Sequence, residues 1–205
     1  MYEDMIHYVK EFLQNADAKA ALSSSKFPFR DRFDHTLRVY KWALRINEVE
    51  KGDEEILSIA AIFHDVGKWV KNNKPHALVG SEICDTYLRN ISYPEAKRTR
   101  VVNAIKYHSS KSREDLDLTL EDKILMDADM LDEVGATAVL WDSMATALQK
   151  EGSYFKAYQR HVKFFKSLDN HKKYIKTATG AKLYQERLDF LELFIDQLEF
   201  ELGIK

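Results

Sequence analysis

The stretch from Ile56 to Val66 constrains the fold most, because almost every residue in it is apolar. As a helix it is buried nearly all round, so other elements must cover every face. Its last turn nonetheless carries His64 and Asp65, with Lys68 one turn further on. An ionised carboxylate beside an imidazole at the end of a buried helix is costly unless ion pairing, hydrogen bonding or a metal compensates it. The rest of the chain can be read for those partners.

Seven glycines and three prolines in 205 residues are few for sheets joined by tight turns, so the chain reads as all-α. Helical spacing of Met5, Ile6, Val9, Phe12 and Leu13 gives a first helix over 2–14. A connection over 16–32 follows, holding Ser23-Ser24-Ser25 and Phe27-Pro28-Phe29. Asp31 or Asp34 caps a second helix, which reaches about Lys51 and stops at Gly52. Asp53 caps the buried helix, which Gly67 ends. Pro75 opens a helix to about Asn90, and Ser92-Tyr93-Pro94-Glu95 reads as a capping box for the next, which ends at His108.

Thr119 opens a helix carrying Asp127, Asp129, Asp132 and Glu133 beside the apolar Ile124, Leu125, Ala128, Leu131 and Val134. Either these carboxylates gather near positive charge, or Asp127 and Asp132 face water and only Asp129 turns inward. Leu140, Trp141, Met144 and Leu148 mark a helix over 138–148. Ser153 caps one whose aromatic run, Tyr154 to Phe165, is expected in the core. Thr177-Ala178-Thr179-Gly180 precedes a last helix to about Leu202. With no repeat or linker composition, residues 1–205 read as one helical-bundle domain.

Composition narrows the function classes. A formal net charge of -2 supplies no global attraction for nucleic acid or acidic membranes, so no stable nucleic-acid complex is expected. One cysteine, Cys84, rules out an internal disulfide and a thiolate metal cluster. No apolar run approaches a membrane span, and the chain reads as cytoplasmic.

His35, His64, Asp65, His76, His108 and Asp129 all fall at helix ends or inward faces, and they come from at least five helices. Imidazole and carboxylate without thiolate suit Mn, Fe, Co, Ni or Zn, with Mg possible. Two nitrogens and two carboxylates leave coordination positions open, as a catalytic metal requires.

The order His35, then His64-Asp65, then Asp129 resembles the HD superfamily of metal-dependent phosphohydrolases. The surrounding residues are similar too: Asp34-His35-Thr36-x-Arg38-Val39, Ala61-x-x-His64-Asp65-Val66-Gly67-Lys68 and Asp127-Ala128-Asp129-x-Leu131-Asp132. Thr179-Gly180-x-x-Leu183-x-x-x-Arg187 resembles the C-terminal helix of small single-domain bacterial members. The resemblance implies an HD-type bundle with its core at about 30–135 and helices of about 136–202 packed on it.

It further implies that His35, His64, Asp65 and Asp129 bind one divalent metal. His76 and His108 match the additional histidines of two-metal members, in which the HD aspartate bridges. The implied reaction is hydrolysis of a phosphate ester or anhydride on a small phosphorylated molecule, a nucleotide by expectation. Lys68 would stabilise phosphoryl charge, and Asp132 or Glu133 would orient water or accept its proton. Lys163 and Arg187 are further candidates for phosphate contact. Two other classes fit the same ligands: a di-iron oxygenase and a non-catalytic nucleotide-binding module. The sequence carries no signal for oligomeric state.

Overall fold

The computed structural model describes residues 1–21, 31–70 and 73–204, with the side chains of residues 17–21 left aside. The expected Ser23-Ser24-Ser25 and Phe27-Pro28-Phe29 connection, and Lys71 and Asn72 of the polar loop, lie outside the described residues. Among the described residues the chain is all-α, with nine α-helices and no strand. They are α1 (Tyr2–Ala21), α2 (Arg32–Glu50), α3 (Glu54–Phe63), α4 (His76–Asn90), α5 (Glu95–Tyr107), α6 (Leu120–Leu131), α7 (Ala136–Ala147), α8 (Tyr154–His171) and α9 (Ala178–Glu201). None of the helices is long and apolar enough to cross a membrane.

Helix α3 is the axis of the bundle. Ile56, Leu57, Ile59, Ala60, Ala61 and Phe63 have no exposed surface, and α1, α2, α4, α5 and α6 all pack on this helix. One continuous buried cluster runs from Met5 in α1 through α3, α5 and α6 to Ile195 in α9. Removing the large side chains of α3 from water supplies a major share of the driving force, at about 1.5–3 kcal/mol for each fully buried one.

Several starts follow from local chemistry. Asp31 accepts from the backbone N–H of Phe33 at 2.6 Å and of Asp34 at 3.2 Å, so Asp31 is the cap of α2. Asp53 caps α3 in the same way. Thr119 and Asp122 form a reciprocal capping box at the start of α6. Ser153 and Thr177 cap α8 and α9 through the N–H groups of Lys156 and Gly180.

Other boundaries differ from expectation. Helix α1 extends to Ala21, into the segment read as a connection. Helix α2 ends because Lys51 adopts a left-handed conformation at φ 62° and donates to the Asn47 carbonyl, so Gly52 is not its stop. Ser92 also has positive φ, at 55°, and does not cap α5, which begins at Glu95 after Pro94 without a side-chain cap.

Helix α3 ends at Phe63, before Gly67, its expected stop. A Cβ at Gly67 would stand 2.4 Å from the His76 carbonyl oxygen and 2.5 Å from the Gly80 nitrogen, so its absence lets the turn after α3 meet α4 backbone to backbone.

Helices α7, α8 and α9 form a second layer on α2 and α6. Here the expectation of buried aromatic and aliphatic stripes holds for Tyr158, Val162, Phe164 and Phe165, which pack against the core, and is corrected for the rest. Leu140 is 65%, Met144 45%, Leu148 58%, Tyr154 80% and Phe155 50% exposed. Helix α7 turns Ala138 and Ala145 inward, and with only α8 and α9 of the helices in substantial contact its larger side chains face outward.

Candidate metal centre

Five elements deliver the six candidate ligands to one place. His35 comes from the first turn of α2, His64 and Asp65 from the C-terminal end of α3, His76 from the start of α4, His108 from the end of α5, and Asp129 from the last turn of α6. The ligand atoms of His35, His64 and Asp129 lie within 4.8 Å of one another, as do those of Asp65, His76 and His108. The Asp65 carboxylate sits between the groups. Its Oδ2 is 3.6 Å from His35 Nε2, while its Oδ1 is 3.3 Å from His76 Nε2 and 3.6 Å from His108 Nε2.

The proton positions test whether a cation fits. His64 Nδ1 donates to the Ala61 carbonyl at 2.8 Å, and His108 Nδ1 donates to the Ile105 carbonyl at 2.7 Å. Neither carbonyl can donate in return, so in the neutral ring each Nε2 is left with a lone pair. His35 Nδ1 faces Asp132 Oδ2 at 2.7 Å, which turns the His35 Nε2 to the cluster. That atom then lies 3.3 Å from His64 Nε2. Two nitrogen lone pairs at this distance repel, so a positive charge belongs between them, a proton on His35 in the metal-free chain or a bound cation in its place. Carboxylate or carbonyl behind each imidazole is the arrangement that supports metal-ligating histidines, and the residues fit a divalent cation of the hard-to-borderline kind.

The electrostatics agree. Burial alone would lower His35, but hydrogen bonds to Asp129 and Asp132 outweigh it and raise its pKa to about 9. Burial instead dominates at His64 and lowers it to about 4. Burial would raise Asp65 and Asp129, yet His64 and His108 around the first and Lys111 and His35 around the second hold both well below the usual carboxylate range.

Sequence reasoning passed over Arg32 and Lys111, and left Arg38 without a site role, as an equal candidate for an ion pair to Asp34 or another carboxylate. Arg32 Nη1 donates to Asp65 Oδ2 at 2.8 Å. Lys111, in the loop after α5, forms an ion pair with Asp129. Arg38 grips Asp132 with two bonds, Nε to Oδ1 at 2.6 Å and Nη2 to Oδ2 at 3.0 Å. Arg38 stands one helical turn after His35, which was a usable signal. Lys111 had none, since only the crossing of α5 and α6 brings it to Asp129.

The expected roles sort accordingly. Asp132 is buried with both oxygens engaged by His35 and Arg38, so it holds His35 instead of a water, which corrects its reading as a water-orienting group. The alternative that Asp127 and Asp132 face water is also overturned. Asp127 is fully buried, accepting from the N–H of Lys176 and Thr177 at 2.8 Å each and from the Thr177 hydroxyl at 2.7 Å. Burial lifts its carboxyl to about 6 against those three donors.

Lys68 is half-buried beside the second group, where its charge helps burial to lower His76 to about 4. Glu133 lies just past α6 and lines two cavities. Lys163 is exposed on α8 and Arg187 lies over the Trp42 ring at 3.9 Å, donating to the Leu183 carbonyl; neither lines these cavities. The larger cavity, about 370 Å³, adjoins His35, and the smaller, about 210 Å³, adjoins Lys111.

The family model for the HD domain matches residues 32–133, the segment that holds all six candidate ligands. The chain belongs to the HD superfamily. Solved structures share the HD fold well beyond the matched segment. A predicted HD superfamily hydrolase from an uncultured Thermotogales bacterium is 24% identical, with TM-score 0.70, covering 98% of this chain and 92% of that one. An HD-superfamily hydrolase from Bacillus thuringiensis is 21% identical, with TM-score 0.72, covering 100% and 97%. Bacillus subtilis YpgQ in complex with ADP is 24% identical, with TM-score 0.67, covering 98% and 94%.

Among curated proteins, a tRNA (cytidine(56)-2'-O)-methyltransferase of Picrophilus torridus is 30% identical over 110 residues. The match takes in 47% of this chain and only 30% of that protein's length. The HD domain together with the two ligand groups supports a metal-dependent hydrolase as the general class of activity.

Proposed function

We propose that this HD protein is a metal-dependent phosphohydrolase that cleaves a phosphate ester or anhydride of a nucleotide. The observation that carries the reading is the Asp65 carboxylate with one oxygen toward each histidine group. His35, His64, Asp129 and Asp65 would hold one divalent ion, and Asp65, His76 and His108 a second. A transition-metal ion there supplies a Lewis acid for a phosphoryl oxygen and lowers the pKa of water.

The chain's own residues do the rest. Lys68 and Lys111 flank the two groups and offset negative charge as it grows on the phosphoryl oxygens. Attack by a water oxygen forms one P–O bond as the P–O bond to the leaving oxygen breaks. Glu133, exposed just past α6, would take the proton that the water gives up. Arg38 and Asp132 keep His35 in a fixed tautomer and orientation throughout. The nucleotide part of the reading is supported by the ADP complex of YpgQ, a neighbour in fold. The buried cluster running from α1 to α9 supports a single domain over residues 1–205.

The test is metal analysis of the purified protein followed by a phosphate-release screen. Nucleoside mono-, di- and triphosphates and polyphosphate would be offered with Mn, Co, Ni and Mg. Asp65→Ala should lose bound metal and at least about 100-fold in turnover. Full metal content and full activity in that variant would overturn the assignment.

A further inference from the structure

We propose that the cavity beside His35 seats the nucleobase of the substrate, stacked among Trp141, Met144 and Phe164 while the phosphate reaches the ligand groups past His35. The proposal rests on the phosphohydrolase reading and adds where specificity would be set. At about 370 Å³ the cavity falls within the range of small-molecule sites. His35 lines the cavity on the side of its Asp132 partner and turns its Nε2 to the first group of candidate ligands, so an occupant lies one imidazole away from the candidate metal centre.

The lining divides by chemistry. His35, Arg38, Asp132 and Glu133 form a polar side, while Leu140, Trp141, Met144 and Phe164 form an apolar and aromatic one. The aromatic walls are fixed in advance. The Arg160 guanidinium lies 5.2 Å from the Trp141 ring and 6.0 Å from that of Phe164, and its Nε is tied to buried Asp142 at 2.6 Å. A rigid aromatic wall loses little freedom when a planar ring stacks on it. Leu140 and Met144 keep apolar surface in water that such a ring would cover.

A sugar phosphate alone would leave the aromatic walls unmatched, and an acyl chain would bury the charged side without partners. A heterocycle matches both, with a flat apolar face for Trp141 and N–H or carbonyl edges for Glu133 and Arg38. The cavity on the other side of Glu133 is smaller, about 210 Å³, and mixes Lys111 and two serines with Met130, Leu168 and two tyrosines. The Trp141 and Phe164 rings assign the aromatic part of a substrate to the His35 side.

The experiment compares a nucleoside 5'-monophosphate with ribose 5-phosphate, in wild type and in Met144→Trp and Trp141→Ala. Met144 lies on the exposed face of α7, so the larger side chain fills the cavity mouth without entering the core. The wild type should favour the nucleotide in kcat/KM by about tenfold or more, and each variant should cut that ratio several-fold, mainly through KM. A ratio near one, or one unchanged in both folded variants, would overturn the subsite while leaving phosphohydrolysis intact. If no nucleoside mono-, di- or triphosphate yields phosphate or pyrophosphate, the hydrolase reading itself fails. Calorimetric titration of the metal-free protein with the unphosphorylated nucleoside then decides the cavity separately. Binding that Met144→Trp abolishes supports it, and no binding to wild type overturns it.

Discussion

Asp132 shows how one carboxylate can matter to a metal site without touching the metal. It stands behind His35 and is itself held by Arg38. Asp132→Ala should therefore weaken metal binding by about 10–100-fold, measured by competition with a chelator of known affinity. Metal binding unchanged in that variant would remove the positioning role. The same histidine makes the metal-free protein sensitive to pH. Folded His35 keeps its proton up to about pH 9, whereas the unfolded side chain releases it near 6.5. Its stabilisation is complete below pH 6.5 and lost as the pH rises to about 9. His64 works the other way, since its folded pKa of about 4 makes protonation favour the unfolded chain as pH falls from 6.5 toward 4. The melting temperature of chelator-treated protein should peak near pH 6.5 and decline on both sides. A steady rise between pH 6.5 and 9 would contradict this balance.

At the scale of elements, the crossing of α3 and α4 depends on the missing side chain at Gly67. Gly67→Ala would press a methyl group against two backbone atoms that cannot swing aside. A loss of about 1–3 kcal/mol or more is expected in chemical denaturation, with reduced metal binding because His64, Asp65 and His76 border this turn. Capping residues were legible in the sequence because Asp31, Asp53, Thr119, Ser153 and Thr177 act on N–H groups two or three residues away. The left-handed Lys51 and Ser92 were not, since lysine and serine carry no strong preference for positive φ. The outward face of α7 was misread for a related reason. Periodicity identifies a stripe of large apolar residues but not whether a neighbouring helix covers it. The histidine and aspartate ligands were legible because their spacing is local or their residue type is rare inside a bundle. Arg32 and Lys111 were hidden because long side chains meet their partners only once the helices have crossed.

At the scale of the whole molecule, Asp127 joins the second layer to the site. Its carboxylate takes both N–H groups and the hydroxyl leading into α9, and a Cβ at Gly180 would lie 2.4 Å from its Oδ2. Asp127→Ala would leave buried donors unpaired and should cost about 1–3 kcal/mol for each that finds no water. Limited proteolysis should then cut first between residues 172 and 180. Equal protease resistance in the variant and the wild type would show that α9 is held by other contacts. Asp127 and Asp129 stand two positions apart on α6, so one turn of helix grips the C-terminal layer with the first and the metal site with the second. The arrangement works like a keystone with two loaded faces. Every candidate ligand lies before residue 135, yet the turn bearing Asp129 is braced from beyond it, so owning the ligands and holding them in place fall to different parts of the chain.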